Sequence, residues 1–280
     1  MLSLEILSRL SPEQRDRLFA LWDAIGELKS TALGCRRTRY SMTELMARTI
    51  EEESFQGFII FGGKGNGKSV YSIRATAMYY MIYEGLDCGE AYQKALSCLA
   101  FSPNDILARI EERKKIIIWD DAGVWGSTYF WYDEIYRQYI IAFINWYDVA
   151  RTDVNVLLFT TPTKTKLPPK IRGDPDAILV RVSRNGYATY GGMRFKQSKA
   201  EAVKNREDLF SDKNFRELLF VDYFIVYLPD PVYEFYRIVR GLYSEFARRA
   251  LKNVIDEIKR KGFYKVEIDI DIPAMSQREN

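Results

Sequence analysis

Gly57-Phe58-Ile59-Ile60-Phe61, running into Gly62-Gly63-Lys64-Gly65-Asn66-Gly67-Lys68-Ser69, sets the reading of everything around it. An apolar run of strand length passes directly into a glycine-rich loop, and residues 68–83 then read as a helix. The loop matches G-x-x-x-x-G-K-[ST] without a mismatch, in the strand–loop–helix setting that a P-loop requires. Its glycines let the backbone wrap closely around phosphate oxygens, with N–H groups and the helix N-terminus facing the negative charge. On this reading Gly62, Gly63, Lys64, Gly65, Asn66, Gly67, Lys68, Ser69 and Val70 form a nucleotide site. Lys68 reaches the β- and γ-phosphates of ATP, and the Ser69 hydroxyl ligates Mg²⁺.

Ile116-Ile117-Ile118-Trp119-Asp120-Asp121 begins a second motif, an apolar strand that delivers carboxylates 52 residues after Lys68. Asp120 then holds Mg²⁺ through its waters. Asp121, one step on, points elsewhere and orients or deprotonates the attacking water.

Between and beyond these motifs the chain alternates strands with helices. Residues 87 and 103 open helices, 96–101 and 115–119 read as strands, and a helix over 133–150 precedes a strand over 154–160. The pattern predicts an α/β fold, a P-loop NTPase core with a mainly parallel sheet and helices on both faces. Ligands in such sheets bind at the carboxyl ends of the strands, where Gly62, Asp120 and Thr161 lie. Residues 1–55 read as a helical N-terminal extension, with starts at Ser11-Pro12 and at Ser41. Residues 56–198 form the core, and 199–280 a C-terminal helical region with a terminal strand over 266–272. Within the core, residues 177–184 and 187–195 flank Asn185-Gly186, which predicts a β-hairpin turning at that pair.

Composition narrows the function classes. Apolar residues at 47% and charged residues at 28% of 280 suit a globular chain that buries a real core. There is no histidine, which excludes histidine triads, histidine metal sites and imidazole catalysis. Cys35, Cys88 and Cys98 have no metal spacing and cannot all pair, so no disulfide framework is expected and a reducing cytoplasm fits. No membrane-spanning run is visible. The net charge of +3 is unevenly spread: residues 164–206 hold 11 Lys or Arg against 3 Asp or Glu. That stretch is either a surface for an anionic partner or a solvated face.

With these motifs in hand, the order resembles the AAA+ type of P-loop ATPase, and within it the bacterial helicase loaders and their transposon-encoded relatives. The similarity covers residues 57–184 and rests on Asp120-Asp121-Ala122-Gly123, on Arg151 after a long helix, and on Val156-Leu157-Leu158-Phe159-Thr160-Thr161. The resemblance implies that Thr161, or Thr160, senses the γ-phosphate or the water, although Pro162 stands where the family has Asn. It also implies that Arg172, in Leu167-Pro168-Pro169-Lys170-Ile171-Arg172, completes a neighbour's site in a homo-oligomer. The abundance of tyrosine and isoleucine looks like that of proteins from archaeal viruses and plasmids.

The expected work is DNA-associated: an oligomeric motor or loader in viral or plasmid DNA replication. Arg181, Arg184, Tyr187 and Arg194, with Tyr190 and Lys196, place basic and aromatic side chains on the expected hairpin, a combination suited to phosphates and unstacked bases. The alternatives are a genome-packaging or DNA-translocating ATPase and a nucleotide-controlled assembly factor that binds no nucleic acid.

Overall fold

The structure, a computed structural model, describes residues 10–31, 33–124, 134–205 and 217–260. They pack as two compact units, Met1–Ile238 and Val239–Asn280. In the second unit the described part, residues 239–260, is helical. The aromatic residues Trp125, Phe130, Trp131 and Tyr132 and the strand expected over 266–272 lie outside the described residues.

Helix α1 (Pro12–Gly26) begins as its sequence dictates. Gln14 N donates to Ser11 Oγ at 3.2 Å and Ser11 N donates to Gln14 Oε1 at 3.1 Å, a reciprocal cap that satisfies two orphan donors. Helix α2 (Ser41–Glu51) begins differently, because Ser41 lies inside the first turn and makes no cap. Its first N–H groups are met from far along the chain: the Asp222 carboxylate accepts from Ser41 N at 2.8 Å and from Met42 N at 3.2 Å.

The sheet follows. Strand β1 (Gln56–Phe61) leads to helix α3 (Lys68–Tyr83), α4 (Cys88–Ser97), β2 (Leu99–Ala100), α5 (Pro103–Glu111) and β3 (Ile116–Trp119). Helix α6 (Glu134–Val149), β4 (Val156–Thr161), the short α7 (Pro169–Arg172), β5 (Ile178–Tyr190), β6 (Met193–Lys204), β7 (Leu218–Ile225) and α8 (Asp230–Arg260) complete the order. Seven strands form one sheet in the order β2-β3-β4-β1-β5-β6-β7. The pairs from β2 to β5 are parallel, and β6 and β7 add antiparallel pairs at one edge.

The parallel strands read as unbroken apolar runs because both of their faces are covered. Ile59, Ile117, Leu157, Phe159 and Leu179 pack with Phe143 and Tyr147 of α6 and with Trp119 in one buried cluster. Truncating Ile59 or Leu157 to Ala costs about 2–5 kcal/mol through lost contacts and the cavity left behind. The mostly parallel α/β expectation therefore holds, while β7 falls in a region that read as helical.

Two expectations are corrected. The hairpin does not turn at Asn185-Gly186: β5 continues through that pair with a register shift between Arg184 and Tyr187, and the strands reverse at Gly191-Gly192. Both of those glycines have positive φ, 53° and 78°, which a tight two-residue reversal requires. At the earlier pair Gly186 has a positive φ of 76° and Asn185 does not, so the pair makes a bulge in place of a turn. The second correction concerns cysteine. Cys35 and Cys88 form a disulfide with Cα atoms 5.5 Å apart, and Cys98 stays free and buried. The segment after α1 returns to the first residue of α4, a closure that spacing along the chain does not reveal.

Candidate functional site

The glycine loop crosses from the carboxyl end of β1 to the start of α3. Gly62 has φ 149°, and a Cβ there would stand 2.1 Å from the Val182 carbonyl oxygen on β5, so any side chain would push the loop off its neighbour strand. Gly67 ends the loop in the left-handed region at φ 91°, and no side chain caps the helix behind it. The first-turn N–H groups at Lys68, Ser69 and Val70 thus lie at an uncapped helix N-terminus, where an anion is favoured. Gly63, Lys64 and Gly65 face solvent. The loop is anchored from β5 and β6: Asn66 Nδ2 donates to Val182 O at 3.2 Å, and Ser198 Oγ donates to Asn66 O at 2.8 Å. Lys68 curls beneath the loop, its Nζ donating to Gly62 O at 2.9 Å and Gly63 O at 3.2 Å.

Asp120, the residue after β3, is fully buried, and three hydroxyls converge on its carboxylate. Ser69 Oγ and Thr160 Oγ1 both donate to Oδ1 at 2.6 Å, and Tyr236 OH donates to Oδ2 at 2.7 Å. The chain then leaves the sheet at once. Asp121 takes φ 51°, sparsely populated for a residue with a side chain, and its N–H donates to Thr160 Oγ1 at 2.9 Å. Strand β4 lies between β1 and β3, so Thr160 sits between the loop and the acid.

Of the residues singled out from sequence, the fold brings together the loop, Ser69, Asp120, Asp121 and Thr160. Thr161 is not among them. Adjacent strand residues point to opposite faces, and the Thr161 hydroxyl donates to Thr163 O at 3.0 Å beside Gly123. Arg172 ends α7 with Nη1 donating to Thr165 O at 3.3 Å. Arg184 comes unexpectedly close to the loop: its Nη2 is 3.9 Å from the position a Cβ on Gly65 would occupy. Arg194 lies over the Tyr187 ring at 4.2 Å, and Arg181 sits opposite Glu201 on β6. Two participants were not anticipated. Tyr236 lies in the expected C-terminal helical region, and Ser198 at the boundary of the expected core. Nothing local in the sequence marks either.

The oxygens of Ser69 and Asp120 are hard ligands of the kind a small divalent cation takes. Among the described residues no three His, Cys, Asp or Glu side chains gather at one point. A cation here would draw its remaining ligands from water and phosphate, as Mg²⁺ does.

Fold and site define an α/β protein with a mostly parallel sheet and a glycine-rich loop after β1 facing a buried aspartate after β3, with β4 between them. No protein-family model matches the chain. It is 30% identical over 210 residues to a protein of Sulfolobus spindle-shape virus 1, Uncharacterized protein B-251, an alignment that covers 72% of this chain and 80% of the viral one. The chain belongs to the same family as that viral protein.

Proposed function

We propose that this chain is a Mg²⁺-dependent ATPase with a P-loop NTPase core, acting as a homo-oligomer on DNA in the replication of a virus or plasmid. One observation carries the reading. Ser69 and Asp120, the two side chains expected to serve one cation, lie 51 residues apart in sequence and meet at 2.6 Å beside the glycine loop.

Each residue then has a task. The uncapped start of α3 and the exposed backbone of Gly63–Gly65 receive the phosphates. Lys68 exchanges the Gly62 and Gly63 carbonyls for phosphate oxygens, which gives its ammonium a charged partner in place of two neutral ones. When bound, Mg²⁺ neutralises charge on the β- and γ-phosphates. Thr160 fixes Asp120 and the main chain of Asp121 together, so the Asp121 carboxylate stands ready to take the proton of an attacking water. Arg172, half-exposed at the end of α7, serves a neighbouring subunit.

The strand-loop-helix motif and the resemblance to helicase loaders support the nucleotide reading. Kinship with a viral protein supports the viral setting. Among the described residues no helix is long and apolar enough to cross a membrane, so no membrane role is proposed.

Isothermal titration of Mg·ATP into wild type and Lys68→Ala tests the core of the proposal. The variant is expected to lose tight binding, and an unchanged affinity would overturn the assignment. Stimulation of hydrolysis by single-stranded DNA, by duplex DNA or by neither separates a replication motor from a packaging motor and from a protein-assembly factor.

A further inference from the structure

A pocket of about 420 Å³ opens where residues 33–40 cross β6 and β7, and Phe224 in its lining also lies 3.2 Å from the position a Cβ on Gly67 would occupy. Arg36, Arg37, Arg39 and Arg74 line it, and no carboxylate does. Among the described residues none of these four arginines has an ion pair within 4.0 Å. The neighbouring acid, Asp222, is committed elsewhere, holding the start of α2 and accepting from Tyr71 OH at 2.6 Å. We propose that this pocket binds single-stranded nucleic acid, with its arginines on backbone phosphates and Tyr190 and Tyr223 stacking against unpaired bases.

The basic segment is held in place although it is neither helix nor strand. Cys35, immediately before Arg36, is bonded to Cys88 at the start of α4. Gly34 O accepts from Tyr92 OH at 2.9 Å, and Thr38 N donates to Met78 Sδ at 3.3 Å. Tyr40 closes the segment as a buried ring, edge-on to Tyr71 with centroids 5.8 Å apart. Three exposed guanidinium groups are therefore presented from a fixed backbone, which lowers the entropy lost when a ligand binds.

Arg74 supplies the observation that separates a site from a solvated charge cluster. It is only 4% exposed, donates Nη1 to Ile225 O at 3.1 Å, and leaves its buried Nε with no acceptor. A buried guanidinium donor without a partner is costly, and three more positive charges at the same pocket add repulsion that an anion relieves.

The ligand's class follows from the lining. Guanidinium forks match phosphate oxygens, and exposed aromatic faces accept bases of any sequence. Tyr190 and Tyr223 are 42% and 56% exposed. A recessed pocket admits a base only after it has left the duplex stack, which favours single strands. Arg74 stands on α3, about a turn and a half beyond Ser69, so a strand bound here touches the helix that the glycine loop opens.

The inference rests on the nucleic-acid part of the function proposed above and not on ATP hydrolysis. The test uses the full chain without nucleotide and follows the anisotropy of a labelled oligo-dT strand of about 16 nucleotides through a salt series. Replacing Arg36, Arg37 and Arg39 together by Ala should weaken binding at least tenfold and flatten the log–log salt slope by about two. Tyr223→Ala should weaken binding roughly five- to hundredfold and leave the slope unchanged. These side chains are exposed, so melting temperature and DNA-free hydrolysis should stay at wild-type values. Lys68→Ala should bind the strand like wild type, so an ATPase reading that fails leaves this result standing. The inference is overturned if the wild-type chain does not bind the strand or if the triple variant binds like wild type. Competition by duplex DNA or inorganic tripolyphosphate as effective as that by the single strand would overturn it as well.

Discussion

Tyr236 donates its hydroxyl hydrogen to Asp120 Oδ2 at 2.7 Å, tying the first turns of α8 to the end of β3. Helix α8 starts at Asp230, so a residue beyond the sheet positions the carboxylate at the centre of the site. Partners of this kind orient metal-associated ligands, and their loss typically costs 10- to 100-fold in metal affinity or activity. Tyr236→Phe keeps the ring beside Phe101 and removes the hydrogen bond to Asp120. It should raise the Mg²⁺ concentration needed for half-maximal ATP hydrolysis by about tenfold. A magnesium titration with the same midpoint as wild type would show that Asp120 does not depend on this contact.

Thr160 and Thr161 separate two assignments that the sequence left open. Thr160 donates to Asp120 and accepts from Asp121 N, whereas Thr161 donates to Thr163 O. Thr160→Val, which keeps the branched shape, should slow hydrolysis about a hundredfold while leaving Mg·ATP affinity within a few-fold. Thr161→Val should change hydrolysis little, with a stability loss of about 1 kcal/mol from the missing bond. Single-turnover rates for the two variants decide between them, and the reverse order would restore Thr161 as the sensor.

What the sequence made legible was the local part of this site. The loop from Gly62 to Ser69, the strand bounds around Ile117 and Leu157 and the reciprocal cap at Ser11 follow from periodicity and short-range chemistry, and each appears within a residue or two. Hydrogen bonds that join distant segments left no such mark. Asp222 caps α2 from 181 positions away, and Tyr236 reaches Asp120 across 116. The turn was misplaced because Asn185-Gly186 and Gly191-Gly192 both permit a reversal, and pairing of β6 with both β5 and β7 selects the second. Arg36, Arg37 and Arg39 form only a short basic run in sequence, and the pocket they line is completed by Tyr190, Gln197 and residues 223–225, more than 150 positions further on.

Buried tyrosines set an alkaline limit on stability. Burial, reinforced by Asp222, raises the Tyr71 hydroxyl well above its ordinary value of 10.0, and burial likewise raises Tyr80, Tyr92 and Tyr147. Tyr79 is pushed up to about 12, by burial first and then by Glu84. A folded-state pKa above the unfolded one gives stability that is fully present below pH 10 and is lost as pH rises toward the folded value. The melting temperature should hold steady near about pH 9 and fall progressively from about 10 to 12. Phenolate absorbance from these residues should appear together with unfolding. Their complete ionisation at about pH 10 in a chain that is still folded would contradict the burial argument.

Arg184 was expected at a hairpin tip, reaching for DNA, and the fold places it beside the phosphate loop. Its Nη2 lies 3.9 Å from the Cβ position of Gly65, and its strand, β5, touches the same loop through Val182. A guanidinium there is within reach of a phosphate held on the exposed backbone of Gly63–Gly65, and a charge-assisted hydrogen bond of that kind contributes about 1.5–3 kcal/mol. Arg184→Ala should therefore weaken Mg·ATP binding by about tenfold or more in the complete absence of DNA. Arg194, which is stacked on Tyr187 further along the arm, provides the control. Its replacement by Ala should leave ATP affinity unchanged, since nothing places it at the loop. Calorimetric titration of both variants reads the difference directly. If Arg184→Ala binds ATP like wild type and loses affinity only for the oligonucleotide, the residue belongs to a nucleic-acid surface, and the loop binds phosphate without help from β5.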